Sequence, residues 1–320
     1  PSSKDGNTKK PKKKKKKRRN LFKRIILAFF SLGVICSLAL GIFVLKVIVD
    51  SPNIEYNNIY SILNENSVLY DDNGEVLDTL SAFNKEGTRR NIEYKDLPKN
   101  LVNAFIAIED KTFWTHHGFN PIRILGAIKE SFTSGNRIGA TSTITQQLAR
   151  NLYLSDSRTE RTLTRKIREA YYTVLLEKHL EKEEILEAYL NTIYFGCDSF
   201  GIQAASRTYF NKDVNDLDLI ECAALAALPK APNTYAWIKR IPPDDITDKD
   251  NGNILLKTTD FYYVFNDTAK SRRETCLALM KEQGLITDDE YSTAMAMDFK
   301  SHLKPHFNTS ATASSYFSDY

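Results

Sequence analysis

Ile106-Ala-Ile-Glu109-Asp110 opens the stretch around which the chain is organised, and Arg165-Lys-Ile-Arg-Glu169 closes it. Two runs lie between these ends. One is Phe113-Trp-Thr-His-His-Gly118, and the other is the polar, small-residue run Gly139-Ala-Thr-Ser-Thr-Ile-Thr-Gln-Gln-Leu-Ala-Arg-Asn151. They offer hydroxyl, amide and guanidinium groups that can bind sugar hydroxyls and phosphates. Glu109 ends an apolar, helix-like run, where partial desolvation suits a carboxylate to proton transfer. Glu109 is therefore the first candidate for a catalytic group, and a surface acid near a helix end is the alternative.

The N-terminal part of the chain has the composition of a membrane anchor. Residues 1–24 carry thirteen Lys and Arg against one Asp, although the net charge of the 320-residue chain is only +4. Residues 25–45 carry no charge, and at about 1.5 Å per residue they span roughly 30 Å, the thickness of the hydrocarbon core of a bilayer. We interpret this run as one uncleaved transmembrane helix, because it is longer than the apolar region of a signal peptide. The positive-inside rule then places the lysines in the cytoplasm and the residues from Asp50 onward outside.

Other classes of protein are disfavoured by the same composition. The lysine block contains no interleaved aromatic residue, so nucleic acid is not an expected partner. The four cysteines form no CxxC pair, and Cys36 lies in the apolar run, so a complete disulfide framework is not expected. The histidines form no HExxH pattern that would indicate zinc. The sequence requires no cofactor.

Apolar spacing predicts a short hairpin followed by a region that is nearly all helix. Residues 67–77 are typical of two strands that join at Asn73-Gly74. Leu101, Phe105 and Ile108 recur at helical spacing and place Glu109 at the end of a helix. The further expected helices are one from Pro121 to about Ser134, one from Thr143, one capped by Thr164, and those over residues 181–191, 201–210 and 218–228.

Some side chains of these helices have expected environments. We expect Ile122, Leu125, Ala127 and Ile128 to form the buried face of the helix that begins at Pro121. In the next helix, Leu148 and Leu152 are expected to point inward. Glu187 and Asn191 lie four residues apart and are expected to bond to neighbouring loops or helix ends.

Four blocks in order resemble those of glycosyltransferase family 51, the peptidoglycan glycosyltransferase domain of class A penicillin-binding proteins and of monofunctional cell-wall transglycosylases. The blocks cover residues 109–118, 142–151, 165–169 and 185–196, and the resemblance runs from about Tyr70 to Pro232, then more loosely through Arg272-Arg273. It implies a mainly α, lysozyme-like domain behind a single N-terminal transmembrane helix, with a short β-hairpin connector. It also implies polymerisation of lipid II into glycan strands by inverting displacement of undecaprenyl pyrophosphate.

The resemblance implies roles for individual residues. Glu109 matches the family's catalytic carboxylate, a general base. Glu169 matches the second glutamate, which organises the leaving group directly or through a divalent cation, Mg²⁺ or Mn²⁺. Further positions match the residues that shape the cleft or contact sugars and phosphates, namely Phe113, His116, Ser142, Thr143, Gln146, Gln147, Arg150, Asn151, Arg161, Arg165 and Lys166.

The expected organisation and partners follow from this resemblance. Residues 1–24 would be a cytoplasmic tail, 25–49 a signal-anchor helix, 50–95 a connector, 96–300 the glycosyltransferase domain, and 301–320 the start of a linker toward a transpeptidase domain that this chain does not contain. The implied partners are lipid II, the growing lipid-linked glycan, the cytoplasmic membrane, and proteins of cell-wall synthesis or division. Ile122, Ile124, Leu125 and Phe132 would contribute to an apolar patch that touches the bilayer.

Several positions depart from the family pattern, and rival interpretations remain open. Thr112 stands where many members carry arginine, Asn211 replaces a usual glycine, Thr141 replaces a second glycine, and residues 233–270 exceed the expected length, with residues 244–253 polar enough for a surface insertion. One rival is a lysozyme-like enzyme that cleaves glycan. The other is a membrane-anchored scaffold without activity. The basic residues near position 165 favour synthesis over cleavage, because a leaving pyrophosphate needs fixed cations.

Overall fold

The computed structural model describes residues 13–54, 67–70, 76–80, 88–134, 142–155 and 162–306. Its helices are α1 (Lys13–Val49), α2 (Lys99–Glu109), α3 (Pro121–Ser134), α4 (Ile144–Tyr153), α5 (Leu163–His179), α6 (Lys182–Thr192), α7 (Ile202–Phe210), α8 (Leu219–Ala226), α9 (Pro232–Tyr235), α10 (Asp248–Asn251), α11 (Lys270–Glu282) and α12 (Asp288–Ala296). Its strands are β1 (Ser67–Tyr70), β2 (Val76–Leu80), β3 (Thr88–Arg89), β4 (Ser199–Phe200), β5 (Ile238–Ile241), β6 (Ile254–Lys257) and β7 (Tyr262–Phe265). The predicted mainly α fold class is confirmed.

The chain divides into two compact units. The first contains Pro1–Asn53 together with Thr162–Arg168, and the second contains Ile54–Arg161 and Glu169–Tyr320. In the first unit, α1 is one unbroken helix, and its part from Phe22 to Val49 is long and apolar enough to cross a membrane. Most of its side chains are exposed, and Val47 is buried. An exposed apolar surface of this length is what a bilayer would cover.

The predicted hairpin is present as β1 and β2. The two strands pair antiparallel, with an irregularity in register between Leu69 and Tyr70. The turn residues Asn73 and Gly74 lie outside the described residues. A pair of very short strands, β3 and β4, is parallel.

The core of the second unit is built around α2. Of the three residues at helical spacing, Leu101 and Phe105 have no exposed surface, and Ile108 is partly buried. α2 packs against α8 and α11, and α4 packs against α6. Leu148 is fully buried and Leu152 nearly so, as predicted for α4. Helices α8 and α11 therefore fix the position of α2, whose last residue is Glu109.

The sequence did not predict the three-stranded sheet between residues 238 and 265. Its strand order is β5-β7-β6, and both pairings are antiparallel. Tyr263 and Val264 of the central strand are buried. Much of the long segment 233–270 is therefore folded, and its polar part, which includes α10, is mostly exposed.

Two local predictions are wrong. Ile122 is 83% exposed and Leu125 is 66% exposed, so they do not form the buried face of α3. Periodicity shows that a helix has an apolar stripe, but it does not show whether protein or another medium covers that stripe. The second error concerns the residue that caps α5, a helix that begins at Leu163. Thr162 caps it, not Thr164, because the Thr162 hydroxyl accepts a hydrogen bond from the Arg165 amide at 3.1 Å.

Asn211 follows α7 with φ 54° and ψ 39°, the left-handed conformation. Glycine adopts it without cost, asparagine tolerates it, and a β-branched residue does not. We expect Asn211→Val to lower the free energy of unfolding by about 1–2 kcal/mol, and Asn211→Gly to leave it nearly unchanged. Thermal unfolding followed by far-UV circular dichroism measures this. The control is Asn251→Val at an exposed helical position, and an equal loss in both valine variants would contradict the backbone explanation.

Candidate active site

Glu109 is the last residue of α2, and both oxygens of its carboxylate accept hydrogen bonds. The Arg272 Nη2 atom lies 2.5 Å from Oε1, and the Gln147 Nε2 atom lies 3.0 Å from Oε2. The Glu109 side chain is 12% exposed. The carboxylate is therefore oriented by two neighbours on a side chain that is partly exposed, and a carboxylate positioned in this way can serve as a general base.

The start of α4 determines where Gln147 lies. Thr143 and Gln146 form a capping box, in which the Gln146 amide donates to the Thr143 hydroxyl at 3.2 Å and the Gln146 Oε1 atom accepts from the Thr143 amide at 2.9 Å. The Thr143 hydroxyl also donates to the Gly118 carbonyl at 2.7 Å. Thr143 and Gln146, predicted as substrate contacts, thus build the end of the helix that presents Gln147.

Tyr189 fixes the orientation of the Gln147 amide. Its hydroxyl donates to the Gln147 Oε1 atom at 3.4 Å, which leaves Nε2 to donate to Glu109. Burial raises the pKa of Tyr189 well above its usual value, and the nearby Glu109 charge raises it further, while the charges of Arg150 and Arg272 lower it. The phenol therefore stays protonated and remains a donor at neutral pH.

Asp110 and His116 connect the loop after α2 to the start of α4. One oxygen of Asp110 accepts from the Ile144 amide at 3.1 Å and from the His116 Nε2 atom at 2.8 Å. Since the Gly118 amide donates to Nδ1 of His116 at 3.0 Å, the proton of a neutral His116 is on Nε2. Both side chains are almost fully buried. His116 thus holds the loop beside Glu109.

Phe113 is fully buried under Lys182, whose Nζ atom lies 4.7 Å from the ring centroid. Lys182 also pairs with Glu177 at 2.8 Å, and Glu177 accepts from the Thr145 hydroxyl at 2.5 Å. This set joins the loop after α2 to α4, α5 and α6. Phe113 shapes the site through packing.

The other predicted residues lie in different surroundings. Ser142, Arg150 and Asn151 are half-buried, directly before α4 or in its last turns. Glu169 is fully buried on α5. Arg165 and Lys166 lie near the start of α5, in the unit that contains α1. Arg161 lies outside the described residues.

Arg272 is a site residue that sequence reasoning missed. It comes from α11, 163 positions after Glu109, and its Nε atom donates to the Ala227 carbonyl at 3.0 Å. The adjacent Arg273 has a different environment, because it is buried with its guanidinium 4.7 Å from the Phe299 ring centroid. The sequence signal was the Arg272-Arg273 pair, and nothing in it indicated which arginine faces Glu109.

The structural prediction for Glu187 and Asn191 is confirmed. The Tyr94 amide donates to the Glu187 carboxylate at 2.6 Å. The Asn191 amide group bonds to both the N–H and the carbonyl of Ile92, at 3.0 and 2.9 Å. These two side chains of α6 hold the segment before α2 in place.

Comparison with known proteins gives one family and a set of relatives. A family model described as "Transglycosylase" matches residues 73–259. Penicillin-binding protein 1A of Clostridium acetobutylicum is 43% identical over 220 residues, which are 67% of this chain and 27% of that protein. Penicillin-binding protein 1A of Clostridium botulinum (strain Langeland) is 36% identical over 304 residues, 93% of this chain and 34% of that protein. The chain spans about a third of the length of these relatives.

A solved structure of penicillin-binding protein 1A from Haemophilus influenzae is 22% identical and covers 73% of this chain and 20% of the solved chain, with a TM-score of 0.34.

Proposed function

The chain belongs to the transglycosylase family, and from that premise we propose that it is a peptidoglycan glycosyltransferase of bacterial cell-wall synthesis that polymerises lipid II. The observation that carries the proposal is the Glu109 carboxylate, which Arg272 and Gln147 orient on a partly exposed side chain. We further propose that α1 crosses the cytoplasmic membrane once, with the catalytic domain outside. Lipid II, the growing glycan and other proteins of cell-wall synthesis are the proposed partners.

In the proposed reaction, Glu109 removes the proton of the 4-hydroxyl of the acceptor GlcNAc as that oxygen attacks C1 of the donor MurNAc. A new bond forms between O4 and C1, the bond between C1 and the pyrophosphate oxygen breaks, and the configuration at C1 is inverted. Undecaprenyl pyrophosphate leaves with the bonding electrons. Arg150, Arg161, Arg165 and Lys166 are the proposed cations for its charge.

A divalent cation has no step in this proposal. Mg²⁺ and Mn²⁺ that act on phosphates keep open positions for water and phosphate oxygens. The Glu169 side chain has no exposed surface, so it does not fit a cation shared with a solvated pyrophosphate. Glu169 follows Arg165 by four residues on α5, and we propose that it supports the basic side of that helix.

Glu169→Gln is expected to lower the rate of polymerisation about tenfold, a size typical of residues that act through their neighbours. The fold should persist, because glutamine has the same shape. The measurement compares polymerisation rate with thermal unfolding, and the control is Glu282→Gln on the exposed side of α11. A Glu169 variant that fails to fold would show that the residue is purely structural.

The test of the proposed function is incubation of the detergent-solubilised chain with lipid II, followed by gel separation of glycan and detection of released undecaprenyl pyrophosphate. Polymer together with released pyrophosphate supports the proposal. Shortening of preformed glycan without polymer would favour a glycan-cleaving enzyme. Binding of lipid II without either product would favour a scaffold.

A further inference from the structure

α3 carries an apolar surface that faces away from the protein. Ile122 and Leu125 are three residues apart, so they share a side of the helix, and both are largely exposed. We call this pair the α3 apolar face. Two aliphatic side chains exposed together on one side of a helix offer a contact to an apolar medium. The same chain carries a helix long and apolar enough to cross a membrane, so a lipid surface is the medium that we assign to this face.

Arg123 lies between these two residues in sequence and points in a different direction. It is partly buried, and its Nη1 atom donates to the backbone carbonyl of Glu109 at 2.9 Å. Glu109 is the last residue of α2, where carbonyl groups lack partners within the helix. Arg123 therefore holds the end of α2 that carries the proposed base.

A second link joins the start of α3 to the loop that follows α2. The Asn120 Oδ1 atom accepts from the Arg123 amide at 2.8 Å, and the Asn120 Nδ2 atom donates to the Thr112 hydroxyl at 2.7 Å. Thr112 lies three residues after Glu109 in the loop that follows α2. In this chain a guanidinium reaches the Glu109 carbonyl from α3. The Arg123 and Asn120 side chains thus link the start of α3 to Glu109 and Thr112.

We propose that Arg123 is a positioning residue that couples docking of the α3 apolar face on the bilayer to the placement of Glu109. This inference rests on the proposed function, because the reaction supplies one of its two tests. Lipid contact fixes α3, and Arg123 carries that restraint to the end of α2. If Arg123 served only to stabilise the fold, it would hold the C-terminal end of α2 equally well with and without lipid.

The first test does not depend on activity. Hydrogen exchange is followed by mass spectrometry on the full chain, in detergent and in phospholipid vesicles. In the wild type, vesicles should slow exchange at the start of α3 and also at residues 106–110. In Arg123→Gln the protection of α3 should remain and the effect on residues 106–110 should disappear. The idea is overturned if vesicles leave α3 unprotected, if protection depends on protein concentration as contact between copies would, or if both variants respond alike at residues 106–110.

The second test is a double-mutant cycle on lipid II polymerisation in vesicles. Arg123→Gln should lower kcat about tenfold with KM within about twofold, because the base is misplaced and substrate contacts are kept. Arg123→Lys should regain part of the loss. Ile122→Ser with Leu125→Ser should act similarly, and the combination should be no worse than the larger single effect, because both changes break one link.

The matched control is Lys129→Gln, which removes an exposed cation from the same helix and should change kcat less than about twofold. If the losses of kcat from the two changes multiplied in the combined variant, the proposed coupling would be refuted. Absence of polymer from the wild type would instead refute the proposed function, and the exchange experiment would still decide the role of Arg123.

Discussion

Replacing Glu109 with glutamine is expected to lower the rate of lipid II polymerisation about a thousandfold, within the range that general acid–base groups contribute. Glutamine keeps the shape of the side chain and can still accept a hydrogen bond from Arg272. It cannot remove the proton of the acceptor hydroxyl. The proposed basic residues still stabilise the negative charge of the leaving group, so residual activity is expected. The defect should lie in kcat, with little change in KM.

The experiment needs evidence that the variant is folded and binds its substrate. Thermal unfolding and lipid II binding are measured beside the rate, and Glu183→Gln at an exposed position of α6 serves as the control. A Glu109→Gln protein that keeps a tenth or more of the wild-type rate would rule out Glu109 as the base. Loss of lipid II binding with an intact fold would assign Glu109 to substrate binding.

The parts of the site that the sequence predicted depend on local rules. Three apolar residues at helical spacing placed Glu109 at the end of α2, and the structure has that helix end there. The helix expected from Thr143 is α4, and the structure shows that Thr143 and Gln146 form a capping box at its start. Local hydrogen bonding and the apolar stripe decide both features, so about ten consecutive residues are enough to predict each of them.

The parts that escaped prediction depend on contacts between distant segments or on the surroundings of a helix. Arg272 meets Glu109 only because α11 packs on α2. Periodicity assigned the apolar stripe of α3 to the core, whereas Ile122 is exposed, and only the resemblance had placed it on a surface patch. The β5-β7-β6 sheet joins short strands from a segment without a strong period. In each case the deciding interaction lies outside the window that periodicity examines.

Arg272→Gln is expected to lower kcat about a hundredfold, because a misplaced reacting group can cost that much. The arginine is held by the Ala227 carbonyl through Nε, and it holds Oε1 of Glu109 through Nη2. Only a planar guanidinium makes both bonds from one rigid group. Arg272→Lys keeps the charge but makes at most one of them, so its rate should fall between those of the wild type and the glutamine variant.

A stability cost should accompany the loss of rate. The side chains of Arg272 and Glu109 are mostly buried, with 19% and 12% of their surface exposed. A hydrogen bond to a charged group contributes about 2 kcal/mol. Thermal unfolding should therefore show a measurable decrease in Arg272→Gln, while Lys270→Gln, an exposed cation at the start of α11, should change neither rate nor stability. A raised KM with unchanged kcat would mean that Arg272 binds substrate. The expected fall in kcat would mean that a residue from α11 sets the geometry of the base on α2, so that the site exists only when the helical core is assembled.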